Sequence, residues 1–317
     1  MITNLDFEPA RLGNYMEFVP YITTMEELYT AETLYDGFIP GKKDSFAECY
    51  DQRVYAHFLE TGKRTNNPLE LMTRAVHDHC MTRELNRFLE RYEKKKVVGV
   101  MGGNAMKRTD EAYRKIVDIS KMLTESGSLM VSGGGSGAME AAALGALMAG
   151  YDDNAVDDAM KMLSVAPCYH SKGYMHAAFA VLERYPHIGD YECLTIPTWL
   201  YGHEPTNPFA TRIAKYFDNS IREDTLLTIA YGGIIFTPGS AGTMQEVFQE
   251  AVQNHYLTLG FASPMIFVDK QFWTEEMPVY TLLDQLSRKG RYQNLLLHLT
   301  DSTEEVVDII TKFQEKR

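Results

Sequence analysis

The chain has no excess of basic residues, no apolar run of membrane length and no closely spaced pair of cysteines. Its 317 residues include 31 Lys and Arg against 43 Asp and Glu, a formal net charge of -12. A polyphosphate backbone needs a basic surface, so nucleic acid is excluded as the main partner. A small phosphorylated ligand is not, because backbone N–H groups hold phosphate without net positive charge. No apolar run approaches the roughly 20 residues that span a bilayer, so no membrane partner is expected. The opening MITNLDFEPARLGNY lacks the basic and apolar regions of an export signal. Cys49, Cys80, Cys168 and Cys193 form no CxxC pair, which reads as reduced thiols in a cytoplasmic protein. The metalloprotease spacing HExxH is absent. His77-Asp78-His79-Cys80 puts residues i and i+2 on different faces of a helix, so no metal site is expected.

What is present is the composition of a globular protein, 45% hydrophobic and 23% charged. Residues 1–95 read as a helical extension. Ser45 to Glu60 and Pro68 to Glu93 are its two main helices, separated by Thr61-Gly62-Lys63-Arg64-Thr65-Asn66-Asn67. From residue 96 to 317, short apolar runs alternate with helical patterns. The predicted strands are Lys96–Met101, Ser128–Val131, Met162–Ala166, Cys193–Ile196, Ile234–Thr237 and Met265–Val268. Alternation of this kind predicts an α/β fold with a doubly wound, mostly parallel sheet. Ligands in such sheets bind at the carboxyl ends of the strands, near the point where strand order reverses. Glycine turns fall at that edge after three strands: Gly102-Gly103, Gly133-Gly134-Gly135-Ser136-Gly137 and Gly239-Ser240-Ala241-Gly242.

The chain is organised around the stretch from Tyr231 to Tyr256, YGGIIFTPGSAGTMQEVFQEAVQNHY. It reads as a buried strand, a turn of small residues and an amphipathic helix with Met244, Val247, Phe248, Ala251 and Val252 at helical spacing. A helix that starts on such a turn presents free N–H groups and a positive dipole end, a site for an anion. Thr243-Met244-Gln245-Glu246 also matches a capping box, with Thr243 as cap and Glu246 reaching back to it. Both readings stand on spacing. Arg222-Glu223-Asp224 likewise reads either as functional or as a solvated helix face. GGGSG is not GxGxxG and follows the second strand, so a nicotinamide site is not favoured.

Taken together, VGVMGGNA, VSGGGSGAMEAA, Arg222 and PGSAGTMQE resemble the LOG family. These are Rossmann-like nucleotide-binding proteins that include nucleoside 5′-monophosphate phosphoribohydrolases. The family hallmark is PGGxGTxxE with an arginine upstream. Pro238 to Glu246 fit it except at Ser240, which stands where the motif has glycine. An L-residue there disfavours positive φ. Glu223 stands where the family has a lysine after the arginine. The resemblance covers 96 to about 270 and leaves out the first 95 residues. It looks most like the larger bacterial purine/pyrimidine nucleotide nucleosidases.

The resemblance implies hydrolysis of the N-glycosidic bond of a nucleoside monophosphate to a free base and ribose 5-phosphate, with no cofactor or metal. Arg222 and Glu246 would be catalytic. Gly239, Ser240, Ala241, Gly242 and Thr243 would hold the phosphate, and Gly102, Gly103 and Gly133 to Gly137 would let the nucleotide approach the sheet. Glu204 and Asn207 are candidate substrate contacts. His170, Lys172 and His176 are weaker candidates to face the base, and Tyr169, Tyr174, Trp199 and Tyr201 could stack on it. The family commonly assembles through the helices around its motif, so a homodimer or higher homo-oligomer is expected. The alternative is a non-catalytic carrier or regulatory protein of the same fold, binding a nucleotide or phosphorylated pterin.

Overall fold

The structure, a computed structural model, describes residues 9–315. The opening stretch read as lacking an export signal therefore lies partly outside the described residues. Along the chain, five helices come first: α1 (Pro9–Phe18), α2 (Ala31–Leu34), α3 (Ser45–Glu48), α4 (Tyr50–Glu60) and α5 (Pro68–Leu89). There follow β1 (Val97–Met101), α6 (Glu111–Glu125), β2 (Leu129–Ser132), α7 (Ala138–Leu147), α8 (Asp153–Ser164) and α9 (Tyr174–Arg184). Next are β3 (Cys193–Thr195), β4 (Arg212–Ile213), α10 (Asn219–Thr228), β5 (Ile234–Phe236) and α11 (Ala241–Tyr256). The chain closes with β6 (Pro264–Val268), α12 (Val279–Arg288), β7 (Leu296–Thr300) and α13 (Thr303–Glu315).

The strands form one parallel sheet in the order β4-β3-β2-β1-β5-β6-β7. This is the doubly wound α/β architecture expected, Rossmann-like in strand order. From β1 the chain winds outward through β2, β3 and β4, then returns to β5 on the other side of β1. The order therefore reverses between β1 and β5, which pair through Gly99↔Ile234, Val100↔Ile235 and Met101↔Phe236. α6 and α7 pack on each other and on β2, and the right-handed rule for parallel crossovers puts helices that follow strands on the other side of β1 on the opposite face. Strands covered on both faces become continuous apolar runs, and every residue of β1, β2, β5 and β6 is buried.

Three expectations are corrected. Met162–Ala166 is not a strand. It holds the end of α8 and the turn after it, because Asp152 caps that helix by accepting the Ala155 N–H at 2.9 Å. Val156, Ala159 and Leu163 then bury one helical face. Two strands went unread: β4 is two residues long, and β7 lies at the sheet's edge without a clean alternation. The helix expected over Ser45–Glu60 is broken at Cys49, whose extended backbone (φ -68, ψ 162) ends α3 and starts α4.

The helices before β1 pack on the β4 end of the sheet. Tyr29 forms an antiparallel bridge with Ile213, with N···O distances of 3.0 and 2.8 Å. The edge strand's backbone groups are thereby paired instead of left open. One apolar cluster runs from Val54, Phe58 and Leu85 through Trp199 and Phe217 to the sheet.

Candidate functional site

The three glycine turns meet where the strand order reverses. Gly103 donates its N–H to the Pro238 carbonyl at 3.0 Å, and Ala138 donates to the Gly103 carbonyl at 3.2 Å. Gly137 (φ +64) lies so close to the Gly103 carbonyl that any side chain there would collide with it. A cavity of about 300 Å³ opens over this junction, a size that suits a small ligand. Its wall contains Gly102, Gly103, Gly133, Gly134, Gly135, Glu204, Arg222, Ser240, Gly242, Thr243 and Glu246 from the expected set. Ser136, Gly137 and Asn207 are buried outside that wall, and Gly239 and the exposed Ala241 flank its Ser240 without lining it.

One end of the cavity is the start of α11. The capping-box reading is corrected here. The helix begins at Ala241, Ser240 is the cap residue, and its side chain makes no capping hydrogen bond. The first intrahelical bond above the cap is from Met244 N–H to the Ser240 carbonyl at 3.0 Å. The N–H groups of Ala241, Gly242 and Thr243 thus have no acceptor within the helix, and the dipole's positive end faces the cavity. Ser240 has φ -117, so the position does not require the positive φ that would favour the motif's glycine.

Glu246, a turn and a half further on, is nearly buried and accepts no hydrogen bond among the described residues. Burial pushes its carboxyl up to about 8, against the opposing pull of the Arg222 charge; Glu223 adds to the upward shift. Arg222 sits in the first turns of α10, where Asp218 caps the helix by accepting from Ser220 N–H at 2.7 Å. Its Nε donates to the Ile196 carbonyl at 2.7 Å and its Nη2 to the Gly133 carbonyl at 3.3 Å. Its Nη1 pairs with Glu223 at 2.5 Å. Arg222 and Glu223 are both buried, so neither is part of a solvated helix face.

Glu204 lines the cavity but is already engaged. Its Oε1 accepts from the Ser136 N–H at 2.5 Å and hydroxyl at 2.8 Å, and its Oε2 from Asn104 Nδ2 at 2.7 Å. It braces the turn after β2. Asn207 does not line the cavity; its N–H and Nδ2 bind the Gly134 and Gly135 carbonyls at 2.8 and 3.2 Å. His170, Lys172 and His176 stay outside the cavity wall, and His176 packs on Phe38. Of the aromatic candidates, Tyr201 alone lines it. Trp199 is fully buried beside Phe217, Tyr174 covers Arg108, and Tyr169 packs on His170.

Several supporting residues escaped the sequence reading. Asp78 on α5 accepts the Phe217 and Asp218 N–H groups at 3.0 and 2.8 Å, fixing the chain that enters α10. Lys215 bridges Asp51 and Thr206 at 2.6 and 3.0 Å, and the Tyr35 hydroxyl donates to the Thr206 carbonyl. Lys63 donates to the Leu200 carbonyl at 2.7 Å. The loop carrying Tyr201 and Glu204 therefore leans on the helices before β1. Behind the turns, Arg108 forms a two-pronged pair with Glu140 at 2.8 and 2.5 Å. No sequence spacing announces these contacts, since apart from Lys215 and Thr206 the partners lie far apart along the chain.

No group of three His, Cys, Asp or Glu among the described residues is arranged to hold a metal. No described helix is long and apolar enough to cross a membrane. Fold and cavity together define a Rossmann-like α/β protein with a cavity at its switch point. No family model and no curated protein matches the chain. Among solved structures it is similar to TM1055, a structural-genomics target, at TM-score 0.44 and 19% identity over 68% of this chain and 98% of that one. It is also similar to a molybdenum cofactor binding protein from the phototrophic bacterium Rippkaea orientalis, at TM-score 0.40 and 15% identity over 68% and 95% of the respective chains. Likenesses of this size assign no residue a role.

Proposed function

We propose that this chain is a LOG-type nucleoside 5′-monophosphate phosphoribohydrolase acting in the cytoplasm. The observation that carries the reading is the unpartnered Glu246 carboxyl, which shares one cavity with the Arg222 guanidinium and the unfilled N–H groups of α11. The 5′-phosphate accepts from the α11 N-terminus and the Thr243 hydroxyl, which anchors the nucleotide at one end. The glycosidic bond then breaks toward a ribosyl cation, the charge pattern of glycoside hydrolysis.

Glu246 holds its proton near neutral pH. It gives that proton to the departing base nitrogen while the bond electrons leave with the base. The resulting carboxylate stabilises the cation beside it. It then takes a proton from the water that adds to the sugar carbon, which restores the acid. Arg222, held by two backbone carbonyls and Glu223, orients the phosphate or base through its remaining N–H groups.

One observation favours a carrier as the second reading. All three guanidinium nitrogens of Arg222 already donate within the protein. A binding protein needs no more from this arginine than a rigid wall.

The deciding experiment is a product assay with AMP, GMP, IMP, CMP and UMP, each beside its nucleoside. Base released from a monophosphate but not from its nucleoside supports the phosphate-anchored hydrolase. Saturable binding with no base released from any of them supports the carrier. Residues 1–95 are proposed as an extension that buttresses a nucleotide-binding domain over 96–317. Assembly as a homodimer or higher homo-oligomer is proposed through α10 and α11, where Ile221, Val252 and Tyr256 are exposed. Sedimentation of the full chain tests it, and a monomer at all concentrations would refute it.

A further inference from the structure

Tyr201 presents to the cavity a ring that is 52% exposed. It belongs to the loop after β3, whereas the α11 N-terminus follows β5. In the sheet order those two strands lie on either side of β2 and β1. The loop is anchored at one end by Trp199, whose indole N–H donates to Asp51 at 2.9 Å. At the other end the Glu204 carboxylate accepts from Ser136 and Asn104. Between these anchors the helical extension holds the backbone. Lys63 Nζ donates to the Leu200 carbonyl at 2.7 Å. The Tyr55 ring lies so close to the Gly202 backbone that no Cβ fits there. A charge-assisted hydrogen bond and a ring contact therefore grip the chain immediately before and after the cavity-facing ring. Neither Lys63 nor Tyr55 lines the cavity, and Lys63 is itself exposed.

We infer that Lys63 and Tyr55 are positioning residues for ligand binding, holding Tyr201 where its ring stacks on the base of the bound nucleotide. This rests on the nucleotide reading above and deepens it, because it gives the helical extension a part in affinity. With the backbone at Leu200 and Gly202 released, Tyr201 occupies its stacking position for a fraction of the time, and the apparent affinity falls by that fraction. Arg222 and Glu246 stand on α10 and α11 rather than on this loop, so the reacting groups keep their places.

The test is a double-mutant cycle on the full-length protein. Apparent affinities are read from thermal stabilisation by AMP, GMP, IMP, CMP and UMP, which works whether or not turnover occurs. Tyr201→Ala is expected to weaken the best-bound nucleotide on the order of tenfold, the worth of one stacked base. Lys63→Met is expected to weaken it about fivefold, and Lys63→Arg, which keeps a donor, by less than about twofold. Tyr55→Ala reproduces the Lys63→Met loss, and Tyr55→Phe, which keeps the ring, does not. Because Tyr201 is the route of the effect, adding Lys63→Met to Tyr201→Ala weakens binding by less than about twofold further. The ligand-free Tm of the Lys63 variants stays within about 2 °C of the wild type's, since an exposed side chain is replaced. Full additivity of the two losses, or unchanged affinity in Tyr201→Ala or Lys63→Met, overturns the inference and leaves the nucleotide reading intact. Stabilisation of the wild-type protein by none of the five nucleotides overturns both.

Discussion

The Arg222 guanidinium fills the space that a Cβ on Gly133 would occupy. The turn after β2 therefore lacks a side chain at this position because the arginine of a different helix lies against its backbone. Gly133→Ala is expected to displace Arg222 and break its contact to the Gly133 carbonyl. Misplacing a group that orients the substrate lowers kcat/KM on the order of 100-fold. Steady-state kinetics checks this; an unchanged kcat/KM would show that the arginine's position is irrelevant.

Glu246→Gln is expected to lower kcat by on the order of 100-fold or more while nucleotide binding survives. The same substitution has a signature in stability. The carboxyl rises from an ordinary 4.5 to about 8 on folding, so between those values the folded chain keeps a proton that the unfolded chain releases. The contribution of the protonated form is complete below 4.5 and is lost as pH rises through 8. The wild-type Tm should fall more steeply across that window than that of Glu246→Gln. Glu250, raised to about 7 by burial, adds a slope of the same sign to both proteins. Parallel Tm curves would contradict the burial of the Glu246 charge.

Ser240→Gly restores the glycine of the motif, yet little gain is expected. The φ of Ser240 is -117, outside the left-handed region that favours glycine. Phosphate-dependent binding should change by less than about threefold, which amounts to less than about 1 kcal/mol. A large gain in affinity would mean that the serine side chain obstructs the anion.

Asp78→Ala removes the acceptor of two backbone N–H groups at the entry to α10. Unsatisfied buried donors make the expected cost on the order of 3 kcal/mol. Because Arg222 rides on that helix, KM and kcat should both worsen in the folded fraction. Denaturant melts paired with kinetics separate the two effects. A loss of stability with unaltered kinetics would confine Asp78 to a structural role.

Glu140→Ala leaves the Arg108 guanidinium buried without its carboxylate. Breaking such a pair from one side costs about 3–5 kcal/mol. Urea melts of the variant measure it, and a change below about 1 kcal/mol would place Arg108 in contact with water.

The sheet was legible where burial on both faces leaves an unbroken apolar run, as in Val97–Met101 and Pro264–Val268. It was illegible where a strand is two residues long, as in Arg212–Ile213, because no period can be read from two positions. Met162–Ala166 misled because a buried helical face and a short strand look alike over five residues. The turns of the site were legible because close backbone approach leaves glycine as the residue that fits. The capping box at Thr243 was a pattern without its geometry: the cap is Ser240, three residues earlier. The supports from Asp78, Lys215 and Lys63 were invisible, since a hydrogen bond between residues more than a hundred positions apart leaves no local trace.

The bridge between Tyr29 and Ile213 makes the two ends of the sheet unequal. At the β4 end the chain's own amino-terminal segment occupies the edge. At the far end, β6 is the strand that pairs with β7 among the described residues, and Leu296 is partly exposed. A strand adding at the β4 edge would have to displace the Tyr29 bridge before it could reach the Ile213 backbone.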